Sequence, residues 1–174
     1  MRPFKLSSIL LGSVCMIALS GCSNATTGEQ VEVIQNGQSF SLDKMIFDPK
    51  EEGNNTSIKP DNPSEYYNYY QEYEGYEYYY VKGTLKNTDE QAKDISAYYV
   101  ESETSGKRDE AKIAVTDEAK SDFIKYIDPG SEVDCYLITL VKEGDEAPDS
   151  FHIFSGSNDD NKWKSEIQYN TKFK

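Results

Sequence analysis

The sequence predicts an all-β domain, arranged as an antiparallel β-sandwich of about eight strands. Short segments of alternating apolar and polar residues are separated by Gly, Pro, Asn and Asp, and no long stretch has helical periodicity. The clearest alternation covers residues 163–173, while residues 133–141 are apolar enough for a strand buried on both faces. A small closed β-barrel fits the same pattern and is the alternative.

The first strands are expected at residues 31–33 and 38–47, where apolar side chains recur at alternate positions. Between them, Asn36-Gly37 is a dipeptide typical of β-hairpin turns. Residues 48–63 predict a loop, because Gly, Pro and Asn are frequent and few side chains suit burial.

The strand after this loop should present two different faces. One face carries Tyr79, Val81, Gly83 and Leu85, and the other carries Tyr78, Tyr80, Lys82, Thr84 and Lys86. Further strands are expected at residues 94–103, 111–116, 133–141, 151–154 and 163–173, and residues 117–125 could hold a short helical turn.

The segment 64–80 is unusually rich in tyrosine and is interpreted as an insertion into the sandwich. Tyrosine offers a large, rigid contact area at low entropic cost, so the segment is a candidate surface for a protein or a sugar. The alternative interpretation is that these rings are core and sheet packing. The candidate residues are Tyr66, Tyr67, Tyr69, Tyr70, Tyr73, Tyr76, Tyr78 and Tyr80.

The N-terminus has the layout of a secretory signal. Arg2 and Lys5 precede an apolar run at residues 6–19, which is too short to span a bilayer as a helix. The run ends in Leu19-Ser20-Gly21-Cys22, which resembles the lipobox of bacterial lipoproteins. The resemblance implies a helical signal peptide at residues 1–21 that is cleaved, diacylglyceryl attachment to Cys22, a flexible tether at 22–30 and a domain at 31–174. The lipid would anchor the protein on the extracellular face of the cell membrane.

The remaining charge and cysteine content limit the kinds of partner and bond. Cleavage would leave 16 basic and 31 acidic residues, a formal charge of −15, so nucleic acid is disfavoured as a partner. Cys15 would leave with the signal and Cys22 would carry lipid, so Cys135 has no partner for an internal disulfide.

Two motifs extend the family resemblance to the domain. A strand ending at Lys86-Asn87-Thr88 is followed by residues 92–96, and Ile127-Asp128-Pro129-Gly130 leads into a long apolar strand. Residues 31–155 thereby resemble immunoglobulin-like domains of unknown function that occur in many Gram-positive surface lipoproteins. The resemblance implies a sandwich fold and a surface location, and it brings no catalytic residues.

Few residues suggest reaction chemistry. His152 is the single histidine, and its apolar neighbours predict a position on the outer face of an edge strand. Cys135 alternates with Val133 and Leu137 and is expected to be a buried, inert thiol. The acidic turn at residues 158–161 lacks the spacing of a calcium loop. We therefore expect no catalytic residues, no metal site and no cofactor.

Taken together, these features predict a non-enzymatic surface lipoprotein whose domain binds an envelope protein or a cell-wall glycan, or acts as an accessory domain in the cell envelope. The alternative is a lipoprotein that captures a small ligand or a cation. A flat tyrosine face would favour the first, and a deep pocket lined by Tyr, Asp and Glu would favour the second.

Overall fold

The computed structural model describes residues 31–157 and 163–171, and it confirms the predicted all-β sandwich. Twelve strands form in this described part of the chain instead of about eight, because several are short pieces of two or three residues. The strands are β1 (Glu32–Ile34), β2 (Phe40–Leu42), β3 (Met45–Asn55), β4 (Tyr76–Asn87), β5 (Lys93–Asp94), β6 (Tyr98–Thr104), β7 (Lys107–Thr116), β8 (Phe123–Ile124), β9 (Tyr126–Ile127), β10 (Glu132–Lys142), β11 (Ser150–Ser157) and β12 (Trp163–Asn170). In the described residues, no helix is long and apolar enough to cross a membrane.

One hydrogen-bonded path connects most strands, in the order β1-β12-β11-β6-β7-β10-β4-β3-β2. The path folds into two layers at β7, whose residues 107–111 pair with β6 while residues 112–115 pair with β10. Strands β6, β11, β12 and β1 therefore form one layer, and β10, β4, β3 and β2 form the other. The short strand β8 pairs antiparallel with the end of β7, and β5 pairs with β9.

The core lies between the two layers and is built from the alternate residues that face inward. Tyr79, Val81 and Leu85 contribute from β4, confirming the predicted face of that strand. Aromatic rings join the layers: Tyr79 stacks on Phe151 with ring centroids 6.2 Å apart. The apolar run in β10 is buried from Val133 to Thr139, as expected for a strand covered on both sides.

The predicted hairpin at Asn36-Gly37 is wrong. Strand β1 pairs in parallel with β12, whereas β2 pairs with β3, so the dipeptide carries the chain from one layer to the other. The Tyr169 hydroxyl holds this crossing: it donates to Asn36 Oδ1 at 3.1 Å and accepts from the Gly37 N–H at 3.0 Å. Among the strands that the structure describes, β1 and β12 are thus the one parallel pair, and the other pairs are antiparallel.

The predicted loop at residues 48–63 is also wrong in its first half. Strand β3 runs through Pro49 and pairs with β4 as far as Asn55. A register shift between Pro49 and Glu51 accommodates the proline, which cannot donate a ladder hydrogen bond. Opposite this bulge lies Gly83, where an added Cβ would stand 2.3 Å from the Asp48 carbonyl oxygen.

Two smaller expectations change as well. The strand predicted at residues 94–103 is interrupted by a 3-10 turn at Ile95–Ala97, capped by the Asp94 carboxylate, which accepts from the Ser96 N–H at 2.9 Å. Residues 117–125 form turns and strand β8 in place of a helical turn.

Candidate functional site

The tyrosine-rich segment divides between two structural elements. Residues 56–75 form an irregular strap over the outer face of β4 and β10; we call this segment the outer strap. Tyr76, Tyr78 and Tyr80 belong to β4 itself, so the predicted insertion at 64–80 is wrong at its C-terminal end. The strap closes on itself through a bridge between Ile58 and Tyr70, with reciprocal backbone hydrogen bonds of 3.2 and 3.0 Å.

Backbone and side-chain contacts fix the strap to the turn at residues 117–122. The Asn62 N–H donates to the Lys120 carbonyl at 2.8 Å, and the Asn68 N–H donates to Asp122 Oδ1 at 2.8 Å. These hydrogen bonds hold the strap against the turn at residues 117–122.

Three of the predicted surface tyrosines are packing residues. Tyr70, Tyr78 and Tyr80 belong to a second apolar cluster, which lies outside the sandwich core and under the strap. The Tyr70 ring meets Phe123 edge-on at 5.7 Å and Tyr78 at 5.9 Å. Burial raises the pKa of Tyr70 and of Tyr78. These three residues fit the packing interpretation.

The other tyrosines face solvent. Tyr66 is 84% exposed, Tyr69 41%, Tyr73 57% and Tyr76 45%. Tyr67 is half-buried, with its ring centroid 5.5 Å from that of Tyr69. Lys59 Nζ lies 5.2 Å from the centroid of the Tyr69 ring, within cation–π range. Of the eight predicted tyrosines, three are therefore packed, four are exposed and Tyr67 is intermediate.

Two of the exposed tyrosines border a cleft of about 370 Å³, which we call the acidic–aromatic cleft. Its side chains include Tyr73, Tyr76, Glu72, Glu74, Glu77 and Glu143. The cleft sits where the strap enters β4, and the Glu143 N–H donates to the Gly75 carbonyl at 3.0 Å, joining the strap to the end of β10. Gly75 takes a φ of +75°, which suits glycine best.

Nothing in the sequence near the tyrosines pointed to Glu143. It lies 66 or more positions after Glu72, Glu74 and Glu77, and only the pairing of β10 with β4 brings it to them. Asn54 Nδ2 donates to Glu77 Oε1 at 2.6 Å, which orients that carboxylate.

A polar cluster lies beside the packed tyrosines. Lys82 Nζ is 2.6 Å from Asp61 Oδ2 and 3.7 Å from Asp134 Oδ2, and it lies 5.2 Å from the centre of the Tyr136 ring. The Tyr136 hydroxyl donates to Asp61 at 3.2 Å, and burial raises the pKa of Tyr136 to about 12. Burial would lower the pKa of Lys82, but its hydrogen-bond partners outweigh this and raise it. The cluster ties the strap to the sheet.

His152 does not lie on an edge strand, so its predicted position is wrong. Strand β11 pairs on both sides, with β6 and β12, and the His152 side chain is only 2% exposed. Glu166 Oε1 lies 2.9 Å from Nδ1, and Glu103 Oε2 lies 3.1 Å from Nε2. Arg108 bridges the same two carboxylates at 3.3 and 3.4 Å.

This histidine also contacts Ser150, whose Oγ is 3.2 Å from Nε2. A serine, a histidine and a glutamate in series are the groups of a hydrolytic triad. A nucleophile must reach its substrate, however, and Ser150 is buried. The contacts fit a buried polar network that stabilises the sheet.

Cys135 is fully buried, as predicted, and burial raises the pKa of its thiol. Within residues 31–157 and 163–171, no group of three or more His, Cys, Asp or Glu side chains could hold a metal ion. The lipobox with Cys22, the signal peptide at 1–21, the tether at 22–30 and the acidic turn at 158–161 lie outside the described residues.

Comparison with known proteins identifies the fold. The chain is similar to an uncharacterized β-sandwich protein from Clostridium difficile 630, with a TM-score of 0.61 and 16% identity over 86% of this chain and 100% of that one. A conserved hypothetical protein from Bacillus anthracis matches 80% of this chain and 95% of its own, with 10% identity and a TM-score of 0.45. No family model matches the sequence, and no curated protein matches it either. The first similarity supports a β-sandwich and nothing beyond the fold.

Proposed function

We propose that this protein is a surface lipoprotein, anchored through lipid on Cys22 to the extracellular face of the cell membrane, whose sandwich domain binds another envelope component. In this proposal the domain works by contact and has no catalytic role. The partner is an envelope protein or a cell-wall glycan.

The observation that carries the binding proposal is the exposure of four tyrosines on residues 66–76. Exposed tyrosine rings offer a large contact area at low entropic cost, which suits a binding surface. Tyr66, Tyr69, Tyr73 and Tyr76 stay exposed, whereas Tyr70 and Tyr78, close to them in the sequence, are packed in the second apolar cluster.

The test is to replace the four exposed tyrosines with serine in the full-length protein and measure retention on cell-wall and membrane fractions. We expect retention to be lost and the thermal unfolding midpoint to shift little, because these rings add little to the core. Tyr126→Ser is the matched control, since Tyr126 is similarly exposed but lies in β9. Retention unchanged by the fourfold substitution would contradict the proposal.

The anchoring proposal has its own test. Cells supplied with labelled palmitate should incorporate label into the wild-type protein and not into Cys22→Ser, and only the wild-type protein should stay with the membrane fraction. Equal membrane retention of both proteins, without label, would disprove the anchor.

A second candidate function is capture of a small ligand or a cation. The acidic–aromatic cleft favours it, because a concave site lined by tyrosine and glutamate was the feature expected for that role. The cleft lies on the same strap as the exposed tyrosines, so both functions would use this part of the molecule.

A further inference from the structure

We infer that the acidic–aromatic cleft and the sheet surface beside it bind an extended Lys- or Arg-rich segment of another envelope protein. The inference rests on the proposed function, and it names the chemistry of the partner.

The strap leaves part of the outer sheet surface uncovered. In the register of β4 with β10, Tyr78 lies opposite Leu140 and Tyr76 opposite Lys142, all on the outer face. The strap covers Tyr78, but Leu140 remains 42% exposed beside Tyr76. The Leu140 side chain and the Tyr76 ring are diagonal neighbours across the strand pair, about 7–8 Å apart. Together they form an exposed area that a partner could contact.

Acidic side chains surround this uncovered area. The cleft contributes four carboxylates, those of Glu72, Glu74, Glu77 and Glu143. Among the described residues, none of the four lies within 4.0 Å of a basic side chain, whereas Lys82, Lys93 and Arg108 are each paired with carboxylates elsewhere. In the described part of the chain, two basic side chains adjoin this face: Lys142, opposite Tyr76, and Lys107, which lines a neighbouring cleft with Leu140. The four carboxylates outnumber them, so the local charge is negative.

An acidic and aromatic surface is complementary to basic side chains. Guanidinium and ammonium groups bind both tyrosine faces and carboxylates, and arginine engages a carboxylate through two parallel hydrogen bonds. The molecule already uses the same pairing, since Lys59 lies over Tyr69 and Lys125 over Tyr126. A second copy of this acidic chain, or an anionic polymer, would be repelled by the same field.

The test uses the full-length protein and two labelled synthetic peptides, one alternating Arg with Ser and the other alternating Glu with Ser. Fluorescence anisotropy should show binding of the Arg peptide and none of the Glu peptide. Binding should weaken steeply as salt is raised, because the contacts are charged and exposed.

The triple variant E72Q/E74Q/E143Q should weaken Arg-peptide binding by about tenfold, equivalent to a few exposed ion pairs. The matched control is E32Q/E51Q/E132Q, which changes the net charge equally at three exposed glutamates on β1, β3 and β10. The control should change binding by less than about threefold, as a long-range charge effect. Equal losses in both triple variants would overturn the site, because net charge alone would then explain binding.

Two further outcomes separate this inference from the proposed function. If envelope retention requires the exposed tyrosines but is unchanged in E72Q/E74Q/E143Q, the binding function stands and the basic partner is wrong. If free arginine methyl ester binds as tightly as the peptide, the cleft captures a small cation and the polypeptide partner is wrong.

Discussion

At the scale of single residues, His152 is the most consequential buried polar group. Its ring nitrogens lie within 3.1 Å of carboxylate oxygens of Glu103 and Glu166, and its side chain is almost inaccessible. Removing this ring leaves a cavity and takes a hydrogen-bonding partner from the buried Ser150 hydroxyl, although Arg108 still bridges the two carboxylates. His152→Ala should lower the free energy of unfolding by about 2–3 kcal/mol, measured by urea denaturation.

A suitable control for this variant is Lys107→Ala. Lys107 pairs with Asp109 on the surface, with both side chains well exposed, so its loss should change stability by less than about 0.5 kcal/mol. Similar effects of the two substitutions would show that the histidine network contributes little. The burial of His152 could not be predicted, because local alternation shows which residues share a strand face but not whether strands flank it on both sides.

Tyr70 and Tyr66 separate the packing and surface roles of neighbouring tyrosines. Tyr70 packs on Phe123 and Tyr78, whereas Tyr66 is mostly in water. We expect Tyr70→Ser to destabilise the domain by about 2 kcal/mol, roughly half the cost of truncating a fully buried aromatic residue, and Tyr66→Ser by less than about 0.5 kcal/mol. Thermal and urea unfolding of both variants checks this, and equal effects would refute the division.

At the scale of elements, the pairing of β3 with β4 depends on Gly83. A methyl group at this position would stand 2.3 Å from the Asp48 carbonyl oxygen and 2.8 Å from Pro49 Cα, both backbone atoms that cannot rotate away. Gly83→Ala should therefore destabilise the domain by about 3 kcal/mol, at the upper end for overpacking. Urea denaturation and amide exchange in β3 would measure the loss.

Gly53→Ala is the matched control in the same strand pair. There the new Cβ would meet the Tyr80 hydroxyl at 3.2 Å, at the far end of a movable side chain. We expect a cost below about 1 kcal/mol. If both alanine variants unfolded at the same urea concentration, the close backbone approach at Gly83 would not limit this sheet.

The elements also show how far the sequence could predict the site. Alternation in residues 78–86 correctly separated Tyr79, which enters the core, from Tyr78 and Tyr80, which face outward. It could not indicate that those outward rings are covered, because the covering residues are distant in sequence: Ile58 lies in the strap and Phe123 in β8. Glu143 was not predicted as a site residue for the same reason, since it is distant in sequence from the other residues of the cleft.

At the scale of the whole molecule, the order of strands departs from the order of the chain. β1 joins β12, more than 130 residues away, and this parallel pair replaced the hairpin expected at Asn36-Gly37. A turn dipeptide predicts that the chain bends, but the partner of each strand depends on which apolar faces meet in the core. The buried Tyr169 hydroxyl bonds to both residues of the dipeptide and so fixes β1 beside β12. Because Tyr169 is more than 130 residues away in the sequence, local patterns could not predict this contact.

The buried tyrosines make the whole domain sensitive to alkaline pH. Burial raises the pKa of Tyr70, Tyr78, Tyr79, Tyr98, Tyr136 and Tyr169 in the folded protein, to about 12 for Tyr136. The unfolded chain titrates near pH 10, so above that pH it binds fewer protons than the folded chain. Stability contributed by these groups is thus complete below about pH 10 and is lost as the pH rises through the folded-state pKa values.

We therefore expect the free energy of unfolding to fall above about pH 10, and the phenolate absorbance of these six tyrosines to appear together with loss of the far-ultraviolet β-sheet signal. Tyr70→Phe keeps a ring under the strap but removes one such phenol, so its stability should fall less steeply with pH than that of the wild-type protein. If the full phenolate absorbance of all 14 tyrosines developed while the β-sheet signal stayed constant, the buried rings would be ionising inside a folded domain. In that event the tyrosines would be reached by solvent, and the packing beneath the strap would be looser than these contacts require.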